Sequence, residues 1–262
     1  MATTQQMRAP AGCIDLDGVP FQCMTRADVV DHIDGSLARD EGGWVVTLNL
    51  DLLRLQTVPR VRECYARADL RVADGMPLLW AAALQGTPLP DRVAGSDLVW
   101  LIAERAAQRG HSLYLLGGAP GSAPAAARTL CARWPELRIA GVSSPQISEP
   151  ATADELSALR DALVKAQPDL VYVALGTPKT EYLIAALRDA FPATWWIGVG
   201  ISLSFIAGSV RRAPAWVQRA GLEWLHRLVQ EPGRLARRYL VDDLPFLAGL
   251  LWRSWRRRNS RG

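Results

Sequence analysis

Residues 170–176 read LVYVALG, an apolar run that does not alternate with polar residues and that ends on Gly176. Three more runs have the same character: WVVTLN at residues 44–49, SLYLLG at 112–117 and TWWIGV at 194–199. A strand that is apolar on both faces is typical of a parallel sheet covered by helices on both sides. These four runs therefore predict the strands of such a sheet.

Helical patterns separate the predicted strands. They cover residues 96–108, 122–134, 153–165 and 179–189, and one further short strand is predicted at 138–142. This alternation predicts a doubly wound, Rossmann-like α/β fold with helices on both faces of the sheet and ligands at the carboxyl ends of the strands. Residues 13–40 are predicted to form a small β-hairpin and a helix that lead into the sheet.

The pattern changes after residue 208, and we predict two parts: a Rossmann-like α/β domain over residues 1–208 and a helical, Arg-rich C-terminal appendage over residues 209–262. The appendage holds twelve arginines and no lysine against four acids, a net charge of +8, so the rest of the chain carries −4. A basic tail on a mildly acidic body implies an anionic partner for the tail.

The end of the appendage combines an apolar run with a basic cluster. The run LPFLAGLLW at residues 244–252 is shorter than the roughly 18–20 residues that span a membrane, and Arg253, Trp255 and three arginines at 256–258 follow it. This combination favours a segment that lies in the interface of an anionic membrane. The alternative is a helix that packs on the body or on another subunit. The tryptophans and leucines of the appendage do not alternate with its arginines, as the aromatic residues of a base-stacking platform do. Nucleic acid is therefore not an expected partner.

The first part of the appendage predicts one amphipathic helix over residues 216–228. Trp216 and Trp224 share one face of this helix, with leucines close by. Glu223 and Arg227 lie on the other face. The charged side chains are therefore predicted to point away from whatever the apolar face contacts.

Metal sites and disulfides are not indicated by the spacing of the sequence. The four cysteines are scattered and read as free thiols, and the three isolated histidines assemble no metal site. Asp15-Leu-Asp17 formally fits a DxD metal-binding pattern, but Gly18 follows it and favours a hairpin turn. The first residues contain no apolar segment of a secretory signal. We therefore expect a cytoplasmic protein with no metal and no cofactor.

Three polar residues end predicted strands. Asp74 follows an apolar strand, where partial burial would raise its pKa toward the working range of a general base. The other interpretation of Asp74 is a helix N-cap ahead of Pro77. Thr47 and Asn49 end an earlier strand, and they either present a hydroxyl and an amide to a ligand or cap the next helix.

Two further segments have phosphate-binding character. Arg92, in the segment DRVAGSD, has the geometry to grip a phosphate bidentately. The alternative for Arg92 is a surface ion pair with Asp91 or Asp97, which contributes little. Gly117 and Gly118 begin a turn between a strand and a helix, as a phosphate-binding turn would. Such a glycine turn is equally needed for tight packing, and it is not a full GxGxxG pattern.

Short segments along the chain resemble the WecG/TagA/CpsF family of bacterial glycosyltransferases over roughly residues 14–245. In the body these are TLN (47–49), ADG (73–75), RVAGSD (92–97), LLGG (115–118) and LGTPK (175–179) with Glu181. Toward the C-terminus they are GVG (198–200), Gly208, RAP (212–214), GLEW (221–224), RL (227–228), EP (231–232) and RY (238–239). No single segment is specific, whereas the set in this order and spacing is.

The resemblance implies an inverting, metal-independent glycosyltransferase that moves a sugar from a UDP-sugar to a polyprenyl-diphosphate-linked acceptor in cell-surface polysaccharide synthesis. It places the family's proposed catalytic base on Asp74, an active-site threonine and asparagine on Thr47 and Asn49, and a diphosphate-contacting arginine on Arg92. The further substrate-binding positions are Gly117, Gly118, Gly176, Thr180, Glu181 and Gly200, with Arg212, Arg227, Arg234 and Arg238 from the appendage.

The same resemblance implies a cytoplasmic enzyme that is peripheral on the inner face of the cell membrane. There the appendage is expected to fold over the active site, with an anionic membrane surface as its partner. In water, helices of the appendage that remain exposed would favour self-association into a homo-oligomer.

Two positions depart from the family pattern. Thr180 stands where glutamine is common, and Ser204 stands where aspartate is common. Both positions are expected near the sugar or the nucleotide, so a plain hexose such as glucose is at least as well supported as N-acetylmannosamine. The alternative function is a non-catalytic, nucleotide-sugar-binding assembly protein docked on the membrane, which would have to lack the base that Asp74 supplies.

Overall fold

A six-stranded parallel sheet forms the centre of the computed structural model, which describes residues 12–219 and 221–260 without the side chains of Ala215, Arg219 and Arg234. A hairpin of β1 (Cys13–Leu16) and β2 (Val19–Gln22) precedes the sheet. The sheet contains β3 (Gly43–Leu48), β4 (Leu70–Ala73), β5 (Ser112–Gly117), β6 (Arg138–Ser143), β7 (Leu170–Ala174) and β8 (Trp195–Gly198). Their order is β4-β3-β8-β7-β5-β6, and every neighbouring pair is parallel. The predicted doubly wound α/β fold is confirmed.

Helices flank this sheet and form the C-terminal part of the described chain. Those of the body are α1 (Arg26–Leu37), α2 (Leu50–Leu55), α3 (Pro59–Ala66), α4 (Met76–Gln85), α5 (Gly95–Arg109), α6 (Ser122–Arg133), α7 (Ala153–Ala166), α8 (Lys179–Leu187) and α9 (Ser202–Ile206), with a 3-10 turn at Arg188–Ala190. Then follow α10 (Ala215–Arg219), α11 (Glu223–Gln230), α12 (Pro232–Ala236), a π-helical segment (Arg237–Asp243) and α13 (Leu244–Asn259). The sequence patterns predict α1, α5, α6, α7 and α8. They do not predict α2, α3 or α4.

Neighbouring residues of the central strands point to opposite faces of the sheet, and both faces are apolar. Trp44 and Trp196 belong to the core cluster on one face, whereas Trp195 and Tyr172 belong to the cluster on the other. All four side chains are fully buried. Because both faces are covered, these strands carry apolar residues without alternation, which is why the apolar runs located them.

The hairpin explains the two aspartates of the DxD pattern. Asp17 has a φ of 56° in the turn, and the Gly18 N–H donates to Asp15 Oδ1 at 3.1 Å. Both carboxylates also bind α13. Asp17 accepts two hydrogen bonds from Arg253, at 2.7 and 2.8 Å, and Asp15 accepts one from Arg257. The turn interpretation is confirmed, and the hairpin helps to hold the C-terminal helix on the body.

The single helix predicted over residues 216–228 is wrong in two respects. First, α10 and α11 are separate helices, with Gly221 between them at a φ of 73°. A Cβ at this position would lie 2.8 Å from Met76 Cγ, so the close approach to α4 also requires glycine. Second, Glu223 points into a cleft of the protein, as described below, while Leu225 is exposed.

The last helix, α13, packs on α4 through one face only. Leu250 and Ser254 are buried, whereas Trp252 and Trp255 are 53% and 51% exposed. The packing on the body that the sequence left as an alternative is therefore present on one face, and the other face presents tryptophans to solvent. Within the described residues, no helix combines the length and apolar character needed to cross a membrane. The division of the chain at residue 208 stays a prediction.

Leu250 and Trp252 provide a test of this packing. We expect Leu250→Ala to lower the free energy of unfolding by about 2–4 kcal/mol, because it leaves a cavity between α13 and the body. Trp252→Ala removes a larger but half-exposed side chain of the same helix and should change the stability far less. Urea denaturation of both variants measures the difference. Equal effects of the two substitutions would contradict the packing of α13.

Candidate active site

A cleft of about 990 Å³ opens at the carboxyl edge of the sheet, between the body and the helices that follow residue 208. Its walls come from the ends of β3, β4, β7 and β8, the glycine turn after β5, α11 and the π-helical segment. The predicted site residues that line it are Thr47, Asn49, Asp74, Arg92, Gly118, Gly176, Thr180, Glu181, Gly200, Arg227 and Arg238. Residues that are distant in sequence therefore share one cleft.

Two predicted site residues of the described chain, Gly117 and Arg212, do not line this cleft. Gly117 is buried at the end of β5, where its φ is 92° and a Cβ would lie 2.7 Å from the Ala174 carbonyl oxygen. Its glycine is required for packing, as the alternative interpretation of the turn held. Arg212 is not among the lining residues of the described chain, because its guanidinium binds carboxylates of the protein. The side chain of Arg234 lies outside the described residues.

Asp74 follows β4 and lies partly buried in the wall of the cleft. Its Oδ2 accepts a hydrogen bond from the N–H of Gly95, the first residue of α5, at 3.3 Å. Burial raises the pKa of Asp74 to about 6, and the nearby Arg92 guanidinium and the Gly95 N–H offset only part of this rise. The cap interpretation is wrong, because Gly75 precedes α4 and the carboxylate contacts α5 instead. A carboxylate with this pKa is ionised at neutral pH and basic enough to accept a proton.

Thr47 and Asn49 have different partners at the end of β3. Asn49 is the N-cap of α2, and its Oδ1 accepts from the Leu52 N–H at 2.9 Å. The cap interpretation of Asn49 is therefore confirmed, although its exposed side chain also lines the cleft. Thr47 is buried, and its Oγ1 lies only 3.1 Å from where a Cβ on Gly95 would be. The glycine thus lets the positive N-terminal end of α5 approach the cleft.

Four charged side chains of alternating sign form a closed ring beside Asp74. Arg92 donates from Nη1 to Glu223 Oε2 at 3.1 Å and from Nη2 to Asp97 Oδ2 at 3.2 Å. Arg212 donates from Nη1 to Asp97 Oδ1 at 2.6 Å and from Nε to Glu223 Oε1 at 3.1 Å. Each of the four side chains is 16–19% exposed. The predicted ion pair of Arg92 with Asp97 is therefore present, but it belongs to this mostly buried ring and not to the surface.

Glu181 places a buried carboxylate in the lining of the cleft. The Tyr65 hydroxyl approaches it, but neither Tyr65 Oη nor Glu181 Oε2 has a partner at hydrogen-bond geometry among the described residues. Burial raises the pKa of Glu181 to about 7. The neighbouring Thr180 is also buried, and its Oγ1 accepts from the Leu175 N–H at 3.1 Å. The hydroxyl of Thr180 therefore stabilises the turn after β7.

A second charged cluster, which the sequence analysis misses, joins α2 to the π-helical segment. Arg54 donates from Nη2 to Asp51 Oδ1 at 2.6 Å and from Nε to Asp243 Oδ1 at 3.3 Å. Arg238 Nη1 lies 3.6 Å from Asp51 Oδ2. Burial raises the pKa of Asp243 to about 6. The arginine content of the appendage is a signal that such a contact exists. The partners depend on the π-helical turn, for which the sequence carries no known pattern.

A cleft at the carboxyl ends of parallel strands, with a basic carboxylate beside arginines and a helix N-terminus, is typical of enzymes that transfer groups from phosphate-bearing substrates. Residues 14–260 match the glycosyl transferase WecG/TagA/CpsF family, and the chain belongs to this family. It is 30% identical, over 210 residues that cover 79% of each chain, to an N-acetylglucosaminyldiphosphoundecaprenol N-acetyl-beta-D-mannosaminyltransferase from Bacillus spizizenii. The predicted resemblance is confirmed, and the protein is a glycosyltransferase.

The buried carboxylate of Glu181 predicts a pH-dependent stability. Its pKa is about 7 in the folded protein and near 4.5 ordinarily, so the folded state binds the proton more tightly. The wild type therefore loses stability as the pH rises through this interval, whereas Glu181→Gln lacks this titration. Relative to the wild type, we expect the variant to gain about 2 kcal/mol of unfolding free energy between pH 5 and pH 8. Urea denaturation at both pH values tests this, and a pH-independent difference would contradict it.

Proposed function

We propose that this glycosyltransferase moves a sugar from a UDP-sugar to a polyprenyl-diphosphate-linked sugar, with inversion and without a metal ion, on the inner face of the cell membrane. The observation that carries the proposal is the Asp74 carboxylate, which shares one cleft with Arg92 and the start of α5. The name of the relative from Bacillus spizizenii specifies an acceptor of this chemistry, an N-acetylglucosaminyl diphosphoundecaprenol. The product would be an intermediate of a cell-surface polysaccharide.

In this proposal Asp74 is the general base. At neutral pH its carboxylate is ionised, and it takes the proton from the acceptor hydroxyl as that oxygen attacks the anomeric carbon of the donor. The new glycosidic bond forms while the bond between the anomeric carbon and UDP breaks, and the bonding electrons leave with the diphosphate. Attack and departure take place on opposite faces of the sugar, so the anomeric configuration inverts.

Arg92 and the N-terminal end of α5 meet the charge that develops on the leaving diphosphate. A guanidinium binds phosphate oxygens in a two-pronged manner, and the first N–H groups of a helix carry partial positive charge. Arg227 and Arg238 line the same cleft from the appendage and add positive charge for the diphosphate of the acceptor. Fixed donors of this kind do in this proposal what a metal ion does in other transferases.

The identity of the donor sugar depends on the lining near α8 and α9. Thr180 and Ser204 are buried, line the cleft and carry short side chains. Thr180 has a shorter side chain than the glutamine that is common in the family and has no amide, and its hydroxyl is bound to the Leu175 N–H. We therefore propose two candidate donors. One is a UDP-hexose such as UDP-glucose, and the other is the N-acetylmannosamine donor that the name of the relative suggests.

The proposed membrane contact rests on the two faces of α11. Glu223, Trp224 and Arg227 line the cleft. Leu225 and Val229 lie on the opposite face and are 42% and 75% exposed. A helix with its charges toward the protein and its apolar stripe toward solvent is the reverse of an ordinary surface helix, and large exposed apolar surfaces mark interaction sites. Together with the arginines of the appendage, this stripe would bind an anionic lipid surface.

Two exposed valines make a matched test of this membrane contact. We expect Val229→Asp to weaken binding to anionic vesicles by at least about tenfold, because it places a charge in the apolar stripe that enters the lipid interface. Val164→Asp, on α7 of the body, makes the same change at a 57% exposed valine and should leave binding unchanged. Vesicle sedimentation measures both. Equal binding by the two variants would show that α11 does not contact the membrane.

The proposed reaction is tested by UDP release from the purified full-length protein. The donors are UDP-glucose, UDP-N-acetylmannosamine, UDP-N-acetylglucosamine and UDP-glucuronate, each with and without a short polyprenyl-diphosphate-sugar acceptor in anionic vesicles. We expect release from one donor that depends on the acceptor. Asp74→Asn removes the base but keeps the shape of the side chain, so it should reduce turnover by at least about 100-fold while UDP binding stays intact.

The outcomes separate the two candidate functions. Near-normal turnover by Asp74→Asn would reject the base. UDP binding without release from any of the donors would favour the non-catalytic assembly protein. The presence of the Asp74 carboxylate argues against that function. A protein that does not bind UDP would contradict both functions.

A further inference from the structure

The ring beside Asp74 presents an anion to Arg92 on the side that faces the cleft. Arg92 holds one carboxylate on each outer nitrogen, Glu223 on Nη1 and Asp97 on Nη2. Of these two carboxylates, Glu223 lines the cleft, whereas Asp97 is not among the lining residues of the described chain. A diphosphate that approaches Arg92 from the cleft therefore meets Glu223 first. Two anions cannot share the same guanidinium edge without strong repulsion.

We propose that Glu223 is a positioning residue that occupies the diphosphate-binding edge of Arg92 when no nucleotide is bound and gives way when the diphosphate enters. This inference rests on the proposed function, in which Arg92 contacts the diphosphate of the donor. The group that displaces Glu223 is thus a nucleoside diphosphate, free or linked to a sugar.

Arg212 lowers the free-energy cost of moving Glu223 away from Arg92. Its Nε holds the second oxygen of Glu223 at 3.1 Å, and its Nη1 holds Asp97 at 2.6 Å. When Glu223 leaves Arg92, it therefore keeps its other ion pair, and no buried carboxylate is left without a cation. Arg212 also has a buried Nη2 without a hydrogen-bond partner in the described chain, so it retains a donor for a carboxylate that shifts toward it. This assigns to Arg212 a role toward Glu223 instead of a direct contact with substrate.

The exchange also favours the release of product. UDP carries about one more negative charge at neutral pH than a UDP-sugar, because its terminal phosphate is no longer esterified. It would therefore remain on Arg92 after the transfer unless another anion competes for the guanidinium. Glu223 is tethered within reach of Arg92 and supplies that anion at a high effective concentration. A side chain that only held the structure together would not compete with the ligand.

The test compares the binding of UDP and of uridine to the wild type, Glu223→Gln and Glu104→Gln. Glu104 is an exposed residue of α5 and serves as the matched control. We expect Glu223→Gln to bind UDP at least about fivefold more tightly, because the competing charge is gone, and to bind uridine, which has no phosphate, as the wild type does. Its kcat should fall as UDP release slows. Calorimetry measures UDP, and ligand-observed NMR measures uridine.

Glu223→Ser, which leaves space for water between the arginines, should show the same tightening. Weaker or unchanged UDP binding by these variants would overturn the proposal, and so would a failure of both to fold, which would make Glu223 a structural residue. Arg92→Gln distinguishes the two levels of the argument. If the wild type binds UDP and Arg92→Gln binds it more weakly, the proposed function stands. The Glu223 variants then decide only the role of Glu223. If Arg92→Gln binds UDP as well as the wild type, the diphosphate contact itself is wrong.

Discussion

The ion-pair ring of Arg92, Asp97, Arg212 and Glu223 connects the parts of the molecule on which the proposed chemistry depends. It ties the start of α5 to α11 through four hydrogen bonds of 2.6–3.2 Å between the two arginines and the two carboxylates. Asp74 lies beside this ring, and its pKa responds to the charges of the ring as well as to burial. The cleft, the proposed base and the proposed diphosphate site therefore depend on the same set of charges, half of which come from the part of the chain that follows residue 208.

The C-terminal helices are held at both ends by charge and in the middle by packing. Arg253 and Arg257 bind the hairpin aspartates, Leu250 packs against the body, and Asp243 contacts Arg54 of α2. The ion pairs of Glu223 turn the charged face of α11 toward the cleft, and Leu225 and Val229 on its other face are exposed. The arrangement would bring a lipid-linked acceptor to the same opening through which the nucleotide-sugar enters.

The sequence predicts the sheet well because its strands are buried on both faces and therefore carry unbroken apolar runs. The position of Asp74, Thr47 and Asn49 at strand ends predicts that they share an edge of the sheet, because the carboxyl ends of parallel strands meet there. That Arg92 belongs to the same site is implied by the family resemblance. The sequence does not predict the orientation of α11, because Glu223 pairs with Arg92, which is far away in sequence, and this contact overrides the local helical pattern. The cap made by Asn49 is a local contact, and the sequence indicates it as one of two alternatives. The sequence pattern does not indicate the hydrogen bond between the Thr180 hydroxyl and the Leu175 N–H, although that contact is local as well.

A structure of the protein with UDP bound tests the central claim most directly. The account predicts that the diphosphate contacts the Arg92 guanidinium and the first N–H groups of α5, with Asp74 facing the end of the diphosphate from which the sugar departs. The uridine should then lie along the glycine turns that end the neighbouring strands. A diphosphate bound away from Arg92 would contradict the account, and so would a nucleotide bound so that Asp74 faces its uracil ring.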